Sequence, residues 1–258
     1  MAHPLAGKRV VATRAEGQTA EFIALLREAG AVPIIFPTIE IVPLDDYSEL
    51  DAALGRLPDY DWAIFTSING VKNVMARMQA LGKSPADFNL CNVAAVGAST
   101  EAVIRDYGIN IALRPAEYVA EAIMAGLAER GPISGKRFLL LRVDTARAVL
   151  RDQLIAAGGL VDEVAVYRTA LGKPDAAAFT ELRKGVDVIT FTSSSTVRNF
   201  LTLLGDEALP VANRAQIACI GPITARTARE HGLRVDVVAA DYTISGLMRA
   251  LKELMRAK

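Results

Sequence analysis

The sequence predicts an α/β protein of two similar lobes, each a parallel β-sheet flanked by helices, arising from an internal duplication and leaving a cleft between them. Three observations predict it. The chain repeats itself at an offset near half its length. Short β-rich apolar runs alternate with segments of helical spacing. Several of those runs are apolar throughout instead of alternating, as a parallel sheet covered on both faces requires.

The repeat is clearest where Asp61 through Asn73 aligns with Asp187 through Asn199, six identities in thirteen positions at a shift of 126. Upstream, Lys8-Arg9, Arg14 and Ala29-Gly30 match Lys136-Arg137, Arg142 and Ala157-Gly158 at a shift of 128. Downstream, Gly97 through Thr100 matches Gly221 through Thr224, and Tyr118, Met124 and Leu127 match Tyr242, Met248 and Leu251, all at 124. Short loop deletions produce such a drift.

Taken in order, the first half predicts strands near 9–13, 32–41, 61–66, 92–97 and 110–113. The second predicts them near 137–142, 160–167, 187–191, 216–220 and 235–238. Helices fill the gaps. One runs from Thr19 to Ala29 and stops at Gly30, another from Arg147 to Ala157 and stops at Gly158, each glycine serving as a helix-ending residue.

Composition narrows the function. In 258 residues, 29 Lys and Arg balance 29 Asp and Glu, so no general attraction to nucleic acid or an anionic bilayer is expected. An apolar content of 52% with 22% charged residues argues for a folded chain, and no apolar run reaches the ~18 to 20 residues of a membrane span. The first residues, Met1 to Arg9, show no apolar stretch of a secretory leader, which predicts a cytoplasmic protein. Cys91 and Cys219 are far apart, and Cys219 lies in the apolar run Ile217–Ile220, so a reduced core thiol is expected.

Ligands of open α/β sheets bind beyond the carboxyl ends of the strands, which directs attention to the strand-to-helix turns. These are Thr13-Arg14, Thr66 to Gly70, Gly97 to Thr100, Arg142 to Thr145, Thr192 to Thr196 and Gly221 to Thr224. Their hydroxyls serve as helix N-caps in ordinary structural terms. Facing one cleft, the same turns would also offer hydroxyls and backbone N–H groups to carboxylates or phosphates. Arg14 and Arg142, at equivalent places, could clamp a carboxylate or simply lie in solvent. Tyr167 closes a predicted strand, as a packing residue or a proton donor. Tyr118, Tyr242, Trp62 and the strand phenylalanines read as packing residues.

Several chemistries lack support. No G-x-G-x-x-G follows a strand, and Gly131 to Lys136 has the wrong spacing for a phosphate loop, so no nucleotide cofactor is indicated. The two histidines, His3 near the start and His231 before Gly232, have no ligand partner at helical spacing and leave neither a metal site nor a Ser-His-Asp arrangement.

Taken together, Thr13-Arg14, Phe65-Thr66-Ser67, Gly97 with Thr100, Tyr167-Arg168-Thr169, Phe191 to Ser194, Ile220 to Ala225 and Val238 to Leu247 resemble the uroporphyrinogen-III synthase family, over nearly the whole chain. The resemblance implies a discontinuous domain of residues 1–38 and 168–258, an inserted domain of 44–164, and crossovers near 39–43 and 163–169. It further implies that the first strands of the two halves are exchanged between lobes. The implied reaction closes the linear tetrapyrrole hydroxymethylbilane to uroporphyrinogen III, with loss of water and inversion of the last pyrrole ring. It serves heme or siroheme biosynthesis and uses neither a metal nor an organic cofactor.

Residue by residue, the resemblance makes Tyr167 the hydrogen-bond donor to the departing hydroxyl. Thr100 and Thr224 would bind carboxylates or position the leaving group. Ser67, Asn69, Ser193 and Ser194 would add hydroxyls and helix-terminal amides, with Gly97, Gly221, Arg14 and Arg142 in the same binding set. Where family members often carry a second hydroxyl residue, this chain has Ile223. A monomer is expected, without nucleic-acid or membrane partners, in transient contact with the enzyme of the preceding step. Two rivals stay open: a non-catalytic two-lobed module binding a carboxylated small molecule, and a transferase using a nucleotide-activated donor.

Overall fold

A computed structural model of the protein describes residues 3–115, 120–146 and 148–256. The first half contributes β1 (Arg9–Ala12), α1 (Ala20–Glu28), β2 (Val32–Ile35), β3 (Ile39–Val42), α2 (Ser48–Gly55), β4 (Trp62–Phe65), α3 (Ile68–Ala80), β5 (Asn92–Ala95), α4 (Ala98–Asp106) and α5 (Ala120–Ala128). The second contributes β6 (Arg137–Val143), α6 (Val149–Ala156), β7 (Leu160–Leu171), α7 (Ala176–Arg183), β8 (Val188–Phe191), α8 (Ser194–Leu204), α9 (Ala208–Ala212), β9 (Gln216–Cys219), α10 (Pro222–Glu230), β10 (Val237–Val238) and α11 (Ile244–Arg256).

These strands form two five-stranded sheets, ordered β10-β9-β8-β1-β2 and β3-β7-β6-β4-β5. Pairing is parallel from β10 through to β2 in the first sheet and from β7 through to β5 in the second. The chain divides accordingly into one compact unit of Met1–Glu40 with Ala170–Lys258 and another of Ile41–Thr169.

Each sheet draws strands from both halves of the repeat. β1 and β2 join β8 of the second half, while β6 and β7 join β4 of the first. A duplicated clasp marks each junction. Asp61 accepts from the Lys136 ammonium at 2.8 Å and the Arg137 amide at 2.9 Å. Asp187 accepts from Lys8 at 3.0 Å and the Arg9 amide at 2.8 Å.

Alternation along the strands sends side chains to two cores per sheet. In the first unit, Val11, Ile189, Phe191 and Ile217 meet α7, α8 and α10 on one face, while Val10, Val188 and Ala218 meet α1 and α11 on the other. In the second unit, Ala63, Phe65, Leu139 and Leu141 pack against α2 and α3; Trp62, Ile64, Phe138 and Leu140 pack against α5 and α6. Two buried faces explain the continuously apolar runs. Cys219 sits inside the first unit, and burial pushes its thiol pKa up to about 12.

Four expectations need correction. The stretch 32–41 is two strands, because Pro37 lacks a ladder N–H and the chain beyond Thr38 passes to the other sheet. Of 110–113, Leu113 alone bridges, to Ala94, and the expected 235–238 strand shrinks to Val237–Val238; both are outermost positions, where short pairing is usual. Thr19 precedes α1, its hydroxyl donating to the Glu16 carbonyl. Tyr118 and Arg147 lie outside the described residues.

Candidate active site

In the unit built on β6 and β4, Tyr167 and Ser67 meet. Ser67 follows β4 and caps α3, its Oγ accepting the Gly70 amide at 3.0 Å. The same oxygen lies 3.3 Å from Tyr167 Oη. A β-bulge makes this meeting possible. Arg142 pairs with Ala165 but Val143 pairs with Tyr167, so Val166 is an extra residue on β7. Without it, Tyr167 would share a face with Glu163 and Ala165; with it, the ring turns to the α3 side and joins the core of Leu141 and Val71. Tyr167 is 6% exposed. Arg168, the next residue, pairs with the exposed Asp45 at 2.7 Å.

Arg142 is not brought to that pair. Alternation along β6 sets it on the face of Phe138 and Leu140, and its Nη1 donates to Glu163 Oε1 at 2.6 Å. Arg151 reaches the other Glu163 oxygen at 3.2 Å. Asn69, in the first turn of α3, accepts from Asn73 through its backbone carbonyl, and its side-chain amide has no partner among the described residues.

The other unit holds Arg14, Ser193, Ser194, Gly221 and Thr224. Arg14 donates to Gln18 at 3.2 Å; burial lowers its guanidinium pKa, against the opposing pull of Glu21. Ser193 caps α8 in a capping box with Thr196 and also contacts Ser195 Oγ at 2.9 Å. Ser194 Oγ lies 2.8 Å from Thr227 Oγ1 and ties α8 to α10. These serine hydroxyls are already occupied within the protein.

The helix starts at Ser67, Gly97, Ser193 and Gly221 therefore fall into two kinds. α3 and α8 are capped by Ser67 and Ser193. α4 and α10 begin at Gly97 and Gly221, which have no side chain to cap with. Their first amides, of Ala98, Ser99 and Thr100 and of Ile223 and Thr224, have no acceptor among the described residues. Thr100 and Thr224, the third residues of these helices, are each 5% exposed, and neither hydroxyl has a hydrogen-bond partner among the described residues. Other buried threonines differ: Thr13, Thr38 and Thr190 all donate to strand or turn carbonyls.

An uncapped helix start carries partial positive charge, and a helical side chain tilts toward it. The starts of α4 and α10 therefore offer favourable surroundings for an anion. A side chain at either glycine would meet a different obstacle. Gly97 has φ of 109°, open to glycine. At Gly221 the backbone is extended, but an added Cβ would come within 3.2 Å of the Tyr242 ring.

Arg114 was not singled out from sequence. It follows the Leu113 bridge and reaches Glu101 of α4 at 2.6 Å. Arg105 and Arg114 together hold the Glu101 carboxyl below its usual range, so the first turns of α4 do not present an unbalanced negative charge. Its counterpart in the repeat is Val238, so self-comparison gives no signal for it. Among the described residues no three His, Cys, Asp or Glu side chains are grouped to hold a metal ion, and no helix is long and apolar enough to cross a membrane.

Comparison with known proteins identifies the relatives of this arrangement. Residues 20–249 match the family described as uroporphyrinogen-III synthase HemD. A uroporphyrinogen-III synthase from Synechococcus elongatus is 37% identical, over 98% of this chain and 97% of its own length. Among solved structures, a mutant uroporphyrinogen III synthase from the extremely thermophilic bacterium Thermus thermophilus superposes with a TM-score of 0.68 at 19% identity, covering 98% of this chain and 100% of the other. The Helicobacter pylori enzyme gives 0.63 at 17% identity, over 96% and 99% of the two chains. These two show a shared fold, and the family match together with the Synechococcus relative shows that the chain belongs to the uroporphyrinogen-III synthase family.

Proposed function

We propose that the protein is a cyclising hydro-lyase that converts hydroxymethylbilane to uroporphyrinogen III and water. The observation carrying this reading beyond family membership is the pair of equivalent helix starts, α4 and α10, whose amides and Thr100 and Thr224 hydroxyls are unengaged among the described residues. They suit the acetate and propionate groups of a linear tetrapyrrole, which a chain of zero net charge can hold only through local sites. Arg14 and the backbone of the α3 and α8 starts add to the set.

The chemistry asks little of a proton donor. Ring-nitrogen electrons of the first pyrrole expel the adjacent hydroxyl, and a proton delivered to the departing oxygen makes it water. Tyr167 supplies that hydrogen bond. Ser67 Oγ and Tyr167 Oη lie 3.3 Å apart and either can donate; with Ser67 as the donor, the phenol proton is left for the substrate.

The cationic carbon left behind is then attacked by the substituted carbon of the last ring. A spiro intermediate forms, fragments and recloses through the free carbon of that ring, now inverted, and loss of the proton on that carbon restores the pyrrole and balances the proton given to the departing water. Holding the chain ends for this attack, rather than the spontaneous one at the free carbon, is a positioning task.

Purified protein should consume freshly generated hydroxymethylbilane faster than buffer alone, with most of that rate lost in Tyr167→Phe. Binding of the linear tetrapyrrole without accelerated loss would instead support the non-catalytic carboxylate-binding module.

A further inference from the structure

Beside the open start of α10 stands Tyr242, an aromatic ring that none of the steps above uses. Its Cγ, Cδ1 and Cε1 edge would lie 3.2 to 3.7 Å from a Cβ built on Gly221. The residue is nevertheless 45% exposed, and its hydroxyl has no partner among the described residues. The turn that carries it is held firmly. Thr243 N–H donates to the Asp241 carbonyl at 2.8 Å, Thr243 Oγ1 accepts the Gly246 amide at 3.0 Å, and Asp241 is ion-paired with Arg249. Ile223, in the first turn of α10, is also a large apolar side chain left exposed.

An exposed aromatic ring and an exposed aliphatic chain thus flank unengaged amides and the unengaged hydroxyl of the buried Thr224. Amides at a helix start take a carboxylate, and an aromatic surface takes a flat π-system. A pyrrole bearing a short carboxylate side chain has both. We infer that Tyr242 is a substrate-binding residue of the α10 site, its ring packing against a pyrrole whose acetate or propionate rests on the Ile223 and Thr224 amides. This rests on the proposed function and adds a specific contact to it. The contact is made by the ring and not by the hydroxyl.

The test uses the full chain with Tyr242→Phe, Tyr242→Leu and Tyr242→Ala, measuring KM and kcat for hydroxymethylbilane, the uroporphyrin isomers formed and the thermal midpoint. Tyr242→Phe should match the wild type. Tyr242→Leu, which still covers Gly221, and Tyr242→Ala should both raise KM, roughly 3- to 10-fold as expected for one aromatic contact, with kcat largely kept. A purely structural ring would be replaced adequately by leucine, so a Tyr242→Leu KM equal to the wild-type value overturns the inference. So does a Tyr242→Phe defect as large as that of Tyr242→Ala, which would assign the effect to the hydroxyl. A wild-type chain without turnover overturns the synthase reading and this inference with it, whereas an active wild type with unaffected variants removes only Tyr242.

Discussion

Tyr167, Thr100 and Thr224 stand apart from the neighbouring hydroxyl residues because of what the fold leaves their oxygens to do. Thr13, Thr38 and Thr190 satisfy backbone carbonyls, and Ser193 and Ser194 satisfy a helix start and Thr227. Thr100 and Thr224 satisfy no group among the described residues. Replacing either by the isosteric valine should raise KM by roughly 2- to 10-fold, the worth of one hydrogen bond, while leaving the denaturation midpoint nearly unchanged. An unaltered KM in both variants would remove them from the site. Tyr167→Phe should lower kcat by roughly 10²-fold, the lower range for a positioned proton donor, with the midpoint retained. Turnover equal to the wild type would exclude Tyr167 from proton delivery. The turns of Thr100 and Thr224 were legible in the sequence, because the repeat and the family resemblance both point to them, whereas Tyr167 stood out only as the close of an expected strand and through the resemblance. Which hydroxyl is occupied was not legible, since Ser193 and Thr224 look alike until their partners are seen across other elements.

At the scale of elements, capping separates the helices by task. Ser67→Ala and Ser193→Ala should each cost about 1 kcal/mol in denaturant unfolding, the usual worth of an N-cap. Ser67→Ala should in addition lower kcat, because Ser67 orients Tyr167 across 3.3 Å, whereas Ser193→Ala should not. Equal kinetic effects of the two would contradict the assignment of α3 to chemistry. Gly97→Ala should destabilise by something on the order of 1–3 kcal/mol through its φ of 109°. The parallel strands and most helices were readable from apolar runs and periodicity. The β7 bulge was not, because the residues around Val166 read as a continuous strand; that one extra residue decides which face Tyr167 occupies. The same limit applies to Arg142, whose equivalence to Arg14 in the repeat says nothing of its ion pair with Glu163.

At the scale of the whole molecule, duplication is built into the sheets by exchanging first strands, so neither half of the sequence holds a complete sheet. A fragment of residues 39–171 contains every strand of the second sheet and should fold alone, with a cooperative thermal transition, whereas residues 1–130 should not. Cooperative folding of 1–130 would contradict the exchanged topology. The two aspartate clasps also make a pH prediction. Lys136 and then the Arg137 amide hold the Asp61 carboxyl below its ordinary pKa; at Asp187 burial opposes the charge, and the Arg9 amide and Lys8 outweigh it. A carboxyl with a lowered folded pKa stabilises above its unfolded value, and that stability is lost as pH falls through the folded value. Unfolding midpoints should therefore decline below about pH 4, and less steeply in Asp61→Asn and Asp187→Asn. The self-similarity of Lys8-Arg9, Asp61, Lys136-Arg137 and Asp187 was visible in the sequence, but a repeat is blind to which copy pairs with which, and that pairing creates the two sheets. The measurement that bears most directly on the central claim supplies purified full-length protein with hydroxymethylbilane as it is made, oxidises the product and separates the uroporphyrin isomers. Predominant isomer III, without added cofactor, is the predicted result; isomer I alone, formed at the rate of the buffer control by folded protein, would contradict it.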